Sequence, residues 1–240
     1  MKKNQISNVG LVIQARMRSS RLPGKVLMDL CGKPVLLHIL DRLKKLKKEY
    51  KQIIITSTNK CDDDIENFCK ENNTLCFRGS ENDVLDRYYQ AAKLFKLQHI
   101  VRLTGDNPLV DADNLDFLIE KHLNNRADYS SNKSEVNSGL PVGAGAEILT
   151  FSALKRSWKE GKKKNHREHV NEYILENQNK FKTLFVKANN KISACKDLRL
   201  TIDTKEDFEF VKSIIKLLQK HNLKINLKNI CKLKNKGYLQ

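Results

Sequence analysis

Val9-Gly-Leu-Val-Ile-Gln-Ala-Arg-Met-Arg-Ser-Ser-Arg-Leu-Pro-Gly-Lys-Val-Leu27 is the stretch from which the rest of the chain can be read. It opens on a short apolar run rich in β-branched side chains, the pattern of a buried strand. The run stops at a segment carrying Arg16, Arg18, Arg21 and Lys25 among small residues. Gly24 lets the backbone approach an anion, Pro23 fixes the turn before it, and Ser19 and Ser20 add hydroxyl donors. A strand feeding such a loop outlines a triphosphate site; a basic surface loop after an edge strand is the plainer alternative. The loop is not the P-loop of common ATPases and GTPases, which has Gly where Ser19 stands and Ser or Thr where Val26 stands. Nor is it a dinucleotide fingerprint, because no G-x-G-x-x-G follows the strand.

Working outward, Pro34 opens a helix with apolar positions Leu36, Leu37, Leu40 and Leu43, and Gln52–Thr58 reads as a second buried strand. Residues 62–70 read as a helix, 74–77 as a strand, 82–95 as a helix and 99–104 as a strand running straight into Gly105-Asp106-Asn107-Pro108. Residues 132–145, rich in Ser, Asn and Gly, read as an insertion that closes over a substrate. A strand over 147–150, helices over 152–158 and 167–176, and a last strand over 197–202 ending at Asp203 complete the pattern. Alternation of strands and helices predicts an α/β fold, a Rossmann-like doubly wound, mostly parallel sheet whose ligands sit at the carboxyl ends of the strands. We expect one domain over 1–240, with an acceptor and dimerisation insertion at 132–180 and a lysine-rich helical segment at 211–240.

The chain has 240 residues, 45 basic against 28 acidic, for a formal net charge of +17. Such an excess raises nucleic acid as a partner. From Val211 to Gln240, however, eight lysines fall without one acidic residue, and six of them recur every fourth position among Ile and Leu. That spacing describes a solvated helical stripe, and no aromatic stacking platform accompanies it. Nucleic acid is therefore not expected as the main partner. No apolar run reaches the roughly 20 residues of a membrane helix, and the first residues lack the apolar core of a signal peptide, so a cytoplasmic location is expected. Six cysteines without a C-x-x-C pair read as reduced thiols.

Two aspartates carry the chemistry. Asp106 and Asp203 each follow an apolar strand directly, and in a doubly wound sheet both can face the crevice that receives the basic loop. A carboxylate pair beside a triphosphate implies Mg2+, which takes one or two carboxylates with waters and phosphate oxygens. Lys25, Arg16 and Arg21 would then offset phosphate charge while pyrophosphate leaves. As turn residue and helix cap, respectively, the two aspartates also have a purely structural reading.

At this point six segments carry a resemblance: Ile13-Gln-Ala-Arg-Met-Arg-Ser-Ser-Arg-Leu-Pro-Gly-Lys25, Thr56-Ser-Thr58, Phe77-Arg-Gly-Ser-Glu-Asn-Asp-Val-Leu-Asp-Arg-Tyr-Tyr89, Arg102-Leu-Thr-Gly-Asp-Asn-Pro108, Arg167-Glu-His-Val170 and Leu198-Arg-Leu-Thr-Ile-Asp-Thr204. Together, and in this order, they resemble the cytidylyltransferases of the spore-coat polysaccharide biosynthesis type, relatives of the CMP-Kdo and CMP-sialic acid synthetases. The resemblance implies transfer of CMP from CTP to an acceptor, with Mg2+, on a fold of the nucleotide-diphospho-sugar transferase type, often as a homodimer. Carried over by position, it implies Gln14 and Ala15 at the cytosine and ribose, and Arg16, Ser19, Arg21 and Lys25 on the phosphates. It further implies Ser57 and Arg78 on the nucleoside, Asp106 and Asp203 on the metal, and Arg16, Lys25 and Asp106 as the catalytic set.

For the acceptor we expect Glu147, His166, Arg167 and His169. Relatives commonly carry Pro-Asp-Gly-Leu-Asp-Val-Glu where this chain has Pro141-Val-Gly-Ala-Gly-Ala-Glu147, so two carboxylates are lost and an anionic or bulkier acceptor is expected. A phosphate or phosphonate acceptor attacks as an anion, whereas a hydroxyl needs Asp106, His166 or a water on the metal to take its proton. Two other functions compete: a sugar-phosphate nucleotidyltransferase using another nucleoside triphosphate, and a non-catalytic protein that binds nucleotides or nucleic acid.

Overall fold

The computed structural model describes residues 8–188, 192 and 195–239. Seven strands form one sheet: β1 (Val9–Gln14), β2 (Lys51–Ser57), β3 (Leu75–Gly79), β4 (His99–Thr104), β5 (Tyr129–Ser131), β6 (Glu147–Thr150) and β7 (Thr183–Phe185). Their spatial order is β3-β2-β1-β4-β6-β5-β7. Pairing is parallel from β3 through β4, and β6 alone runs against its neighbours. The chain is thus α/β and Rossmann-like, as its strand and helix alternation predicts.

Helices cover both faces because the strands are apolar on both. Leu11 and Ile13 of β1 pack with α1 (Val35–Leu43), α2 (Asp63–Glu71) and α4 (Ala112–Asn125). Val12, pointing the other way, packs with α3 (Val84–Leu94), α5 (Phe151–Glu160) and α7 (Glu172–Glu176), which the short α6 (Lys164–Glu168) precedes. A third cluster lies beyond the sheet: Phe208, Val211, Ile214, Ile215 and Leu218 of α8 (Lys205–Lys220) meet Leu227, Ile230 and Leu233 of α9 (Leu227–Asn235) over Leu30, Leu200 and Ile202. Lys216, Lys220, Lys224, Lys228 and Lys232 stay exposed, which agrees with the solvated stripe. The stripe spans two helices, because Asn222 turns left-handed between them.

Three details depart from the sequence reading. Residues 197–202 do not form a strand. Arg199 makes one isolated bridge to Val142, Leu200 N–H donates to Val142 O at 2.8 Å, and Ile202 N–H to Asp106 O at 2.8 Å. The apolar residues of that segment face α8 and α9 instead of a sheet, so its backbone crosses the sheet end with a single rung. The helix expected over 167–176 is two short helices, α6 and α7. Cys195 and Cys231, expected as free thiols, are bonded to one another across a Cα–Cα distance of 5.4 Å, a span that disulfides bridge. Their separation of 36 residues is no motif, and only the return of α9 brings them together.

The strand order reverses between β1 and β4: the chain runs outward from β1 through β2 and β3, then restarts on the other side. Open α/β sheets bind ligands outside the carboxyl ends of strands at such a switch point. Register places Gln14 opposite Thr104, so the basic loop after β1 and the Gly105-Asp106 turn after β4 emerge side by side. Gly105 permits this: a Cβ there would lie 3.1 Å from the Ala15 Cβ and from the Gln14 carbonyl oxygen.

Candidate active site

Lys25 is the centre of the crevice. Gly24, at φ +71°, turns the loop left-handed and aims Lys25 inward, where it is 7% exposed. All three ammonium protons are used: Nζ donates to Ile202 O at 2.6 Å, Asp106 Oδ2 at 2.9 Å and Asp203 Oδ1 at 3.1 Å. Arg21 reaches Asp203 Oδ1 at 3.0 Å, and Arg199 bonds Asp203 Oδ2. Asp203 is held in turn by the capping box of α8, in which the Asp207 carboxylate accepts the N–H groups of Asp203 and Thr204 at 2.9 and 3.0 Å. Two carboxylates 97 positions apart in sequence (203 less 106) therefore share one ammonium with the loop of residue 25.

The loop is pinned by Asp62, which in the sequence stands only as a helix start. Asp62 Oδ1 accepts the Met17 N–H at 2.7 Å, while Oδ2 accepts the Ser57 N–H at 3.1 Å and its hydroxyl at 2.5 Å. Burial pushes this carboxyl up, but the Met17 amide and the hydroxyls beside it outweigh burial and hold it below the usual carboxylate range. Ser57, expected on the nucleoside, is buried and acts through Asp62. Arg78, expected there too, is turned away: its guanidinium donates to Ser57 O at 2.9 Å, Asn59 O at 2.8 Å and Glu66 Oε2 at 2.7 Å. Asp62→Ala should release the loop, costing about 1–3 kcal/mol of stability, read by urea unfolding.

Two cavities flank Asp203. One, of about 220 Å3, is lined by Gln14, Ala15, Arg16, Ser19, Arg21, Lys25 and Asp106, which brings together every expected phosphate, base and metal residue except Ser57 and Arg78. Gln14 Oε1 is buried with no protein hydrogen-bond partner among the described residues. Arg87, Glu168 and His169 line it as well. In the sequence Arg87 lies inside a helical pattern whose spacing gives no sign of a site. The other cavity, of about 280 Å3, is walled by the Val142-Gly143 turn, Glu147, Lys133, Arg199 and Asn107, and it shares Arg102, Thr104 and Asp203 with the first.

Of the expected acceptor residues, only Glu147 reaches this second cavity. Its carboxylate is buried between the Arg102 guanidinium and the Tyr129 hydroxyl, each of which donates to it. Burial pushes the Glu147 carboxyl up, yet Arg102 and Lys133 outweigh that and hold it below its ordinary value. His169 lies in the first cavity. Neither cavity includes His166 or Arg167. The His166 ring is buried with Nε2 at 2.9 Å from Glu176 Oε2, and Arg167 Nε donates to Asp83 Oδ2 at 2.7 Å while Nη1 donates to Trp158 O at 2.9 Å. α6 ends at Glu168 and His169 takes an extended backbone, so His169 leaves the helix that carries His166.

Among the described residues, no three His, Cys, Asp or Glu side chains converge as a ready metal cage. A divalent ion at this place would rely on Asp106 and Asp203 and complete its shell from phosphate and water, the arrangement Mg2+ favours. The two carboxylates fit that demand. Both reach one point, now filled by the Lys25 ammonium, and Asp106 Oδ1 accepts no hydrogen bond among the described residues.

Comparison with known proteins follows the same line. The family described as "Cytidylyltransferase" matches residues 11–239. The spore coat polysaccharide biosynthesis protein SpsF of Bacillus subtilis (strain 168) is 36% identical, over 87% of this chain and 87% of its own length. A solved cytidylyltransferase from Leptospira borgpetersenii serovar Hardjo-bovis (strain JB197) superposes with a TM-score of 0.86 at 35% identity, covering 97% of each chain. CMP:2-keto-3-deoxy-manno-octonic acid synthetase, solved in complex with CTP, superposes with a TM-score of 0.64 at 16% identity, covering 88% of this chain and 99% of that one, a likeness of fold.

Proposed function

Because the chain belongs to the cytidylyltransferase family, a family of nucleotidyltransferases, we propose that it transfers CMP from CTP to a small acceptor (a sugar acid, phosphate or phosphonate) and releases pyrophosphate, supplying an activated unit for a surface glycan or glycoconjugate. The observation that carries this reading is the meeting of Lys25, Asp106 and Asp203 at the sheet's switch point. CTP would lie in the first cavity with its phosphates against Arg16, Ser19, Arg21 and Lys25, and its base near Gln14 and Ala15. The unpartnered Gln14 Oε1 suits the exocyclic amine of cytosine, a hydrogen-bond donor.

An acceptor oxygen approaching from the second cavity attacks the α-phosphorus. The new P–O bond forms as the bond to the β-phosphate oxygen breaks, and pyrophosphate leaves with the electron pair. Arg16, Arg21 and Lys25 hold the phosphates in line and offset the charge that grows on the leaving group. An anionic acceptor brings no proton; a hydroxyl acceptor gives its proton to Asp106, whose Oδ1 accepts no hydrogen bond among the described residues. Held by Asp106 and Asp203, Mg2+ would polarise the α-phosphate. A CTP substrate points to the cytoplasm, and the family resemblance drawn from the sequence to a homodimer.

The test is pyrophosphate release from CTP, UTP, GTP and ATP with Mg2+, each with a panel of phosphorylated, phosphonate and 2-keto sugar acid acceptors. Release with CTP well above the other three, lowered at least about a hundredfold in Asp106→Ala, is the expected result. Equal use of another triphosphate would overturn it, as would full activity in Asp106→Ala.

A further inference from the structure

Two residues that line the second cavity each carry a buried polar atom with no hydrogen-bond partner among the described residues, and the two atoms are of opposite kind. Arg102 Nε is a charged donor, and Asn107 Oδ1 is an acceptor. Each side chain is held in place by its other end. Glu147, itself fixed by Tyr129, takes the Arg102 Nη1 proton, and Asn107 Nδ2 donates to Thr104 Oγ1 at 2.8 Å. Leaving either atom unpaired in a buried site costs free energy that a suitably shaped ligand recovers.

We infer that Arg102 and Asn107 select the acceptor: the Arg102 Nε–H takes an anionic oxygen of the acceptor and the Asn107 Oδ1 takes one of its hydroxyl protons. The ligand class is a small hydroxylated anion. A guanidinium N–H bonds a carboxylate, phosphate or phosphonate oxygen more strongly than a neutral hydroxyl. A cavity of about 280 Å3 limits its size. Gly143 and Gly145 pack their backbone tightly there: a Cβ on Gly143 would lie 2.6 Å from Thr201 N and one on Gly145 2.6 Å from Asn132 O. Arg102 also borders the nucleotide cavity, so the anion it holds sits beside the triphosphate it must react with. The inference rests on the proposed cytidylyltransferase reading and adds the two residues that choose its second substrate.

The experiment uses the full chain labelled with nitrogen-15 arginine. The Arg102 Nε–H resonance is assigned by its loss in Arg102→Lys, which keeps a cation beside Glu147. Binding of α,β-methylene CTP with Mg2+ is measured first by itself. Glycerol 3-phosphate, 2-hydroxyethylphosphonate, 3-deoxy-manno-octulosonate and, as the neutral control, glycerol are then titrated into that complex. At least one anionic probe should shift the Arg102 Nε–H while glycerol leaves it in place, and the identity of that probe separates carboxylate from phosphate and phosphonate. Asn107→Ala should weaken the same probe about tenfold while moving the affinity for the CTP analogue less than about twofold. Silence from every anion overturns the inference, as does an equal response to glycerol or an unchanged probe affinity in Asn107→Ala. Failure of the CTP analogue to bind would instead count against the transferase reading, and the probes, titrated without nucleotide, would still test the pair. Circular dichroism confirms that each variant is folded.

Discussion

Lys25→Met should lower kcat/KM for CTP roughly a thousandfold, measured as pyrophosphate release with saturating acceptor. The expected loss is large because one ammonium serves three partners, Asp106, Asp203 and the Ile202 carbonyl, and no other cation among the described residues reaches both carboxylates. Methionine keeps the length and apolar stem of the side chain, so the loop's packing is little disturbed while the charge goes. A second readout follows from the same geometry. Without the ammonium the two carboxylates repel one another, so millimolar Mg2+ should raise the thermal midpoint of Lys25→Met more than that of the native protein. Activity within tenfold of native, or an identical Mg2+ effect on both proteins, would contradict the role given to Lys25.

Glu147→Ala should be the most destabilising single change, costing about 3–5 kcal/mol in urea unfolding, because it leaves the buried Arg102 guanidinium without its carboxylate. Replacing both partners with apolar groups, Arg102→Met with Glu147→Leu, should recover most of that loss while abolishing transfer. The effect has a defined pH dependence. Glu147 is held below its ordinary value in the fold, so its contribution is complete above the unfolded carboxylate range and fades as the pH falls through the lower folded value. The gap between native and Glu147→Ala should therefore be widest near neutrality and narrow below roughly pH 4. A constant gap from pH 7 to pH 3 would show that packing, and not the ion pair, is what Glu147 supplies.

Much of this architecture is written locally. The β-branched run of β1, the Gly/Pro punctuation after it and the acidic residue following each of two apolar segments are features of neighbouring residues, and neighbouring residues are what a sequence displays. They put Lys25, Asp106 and Asp203 at one sheet edge. The expected site residues that the structure places away from the two cavities share one cause. Ser57, Arg78, His166 and Arg167 are polar side chains at plausible positions, but each had several partners within reach, and the partner taken in every case lies on another element: Asp62, Glu66, Glu176 and Asp83. Residues 197–202 do not form the expected strand for a related reason, since their apolar positions serve α8 and α9 and not a sheet.

The sequence by itself determined the layered α/β order, the cationic turn and the two acids, because strand periodicity, glycine turns and strand-end carboxylates are set by a residue and its immediate neighbours. Tertiary structure alone decided that Asp62 fastens the basic loop, that Cys195 meets Cys231, and that Arg102 and Asn107, each with an unsatisfied buried atom among the described residues, line a second cavity. Hydrogen bonding and burial depend on distance in space, and chain separation carries no record of that distance until the sheet has closed the order in which its strands lie.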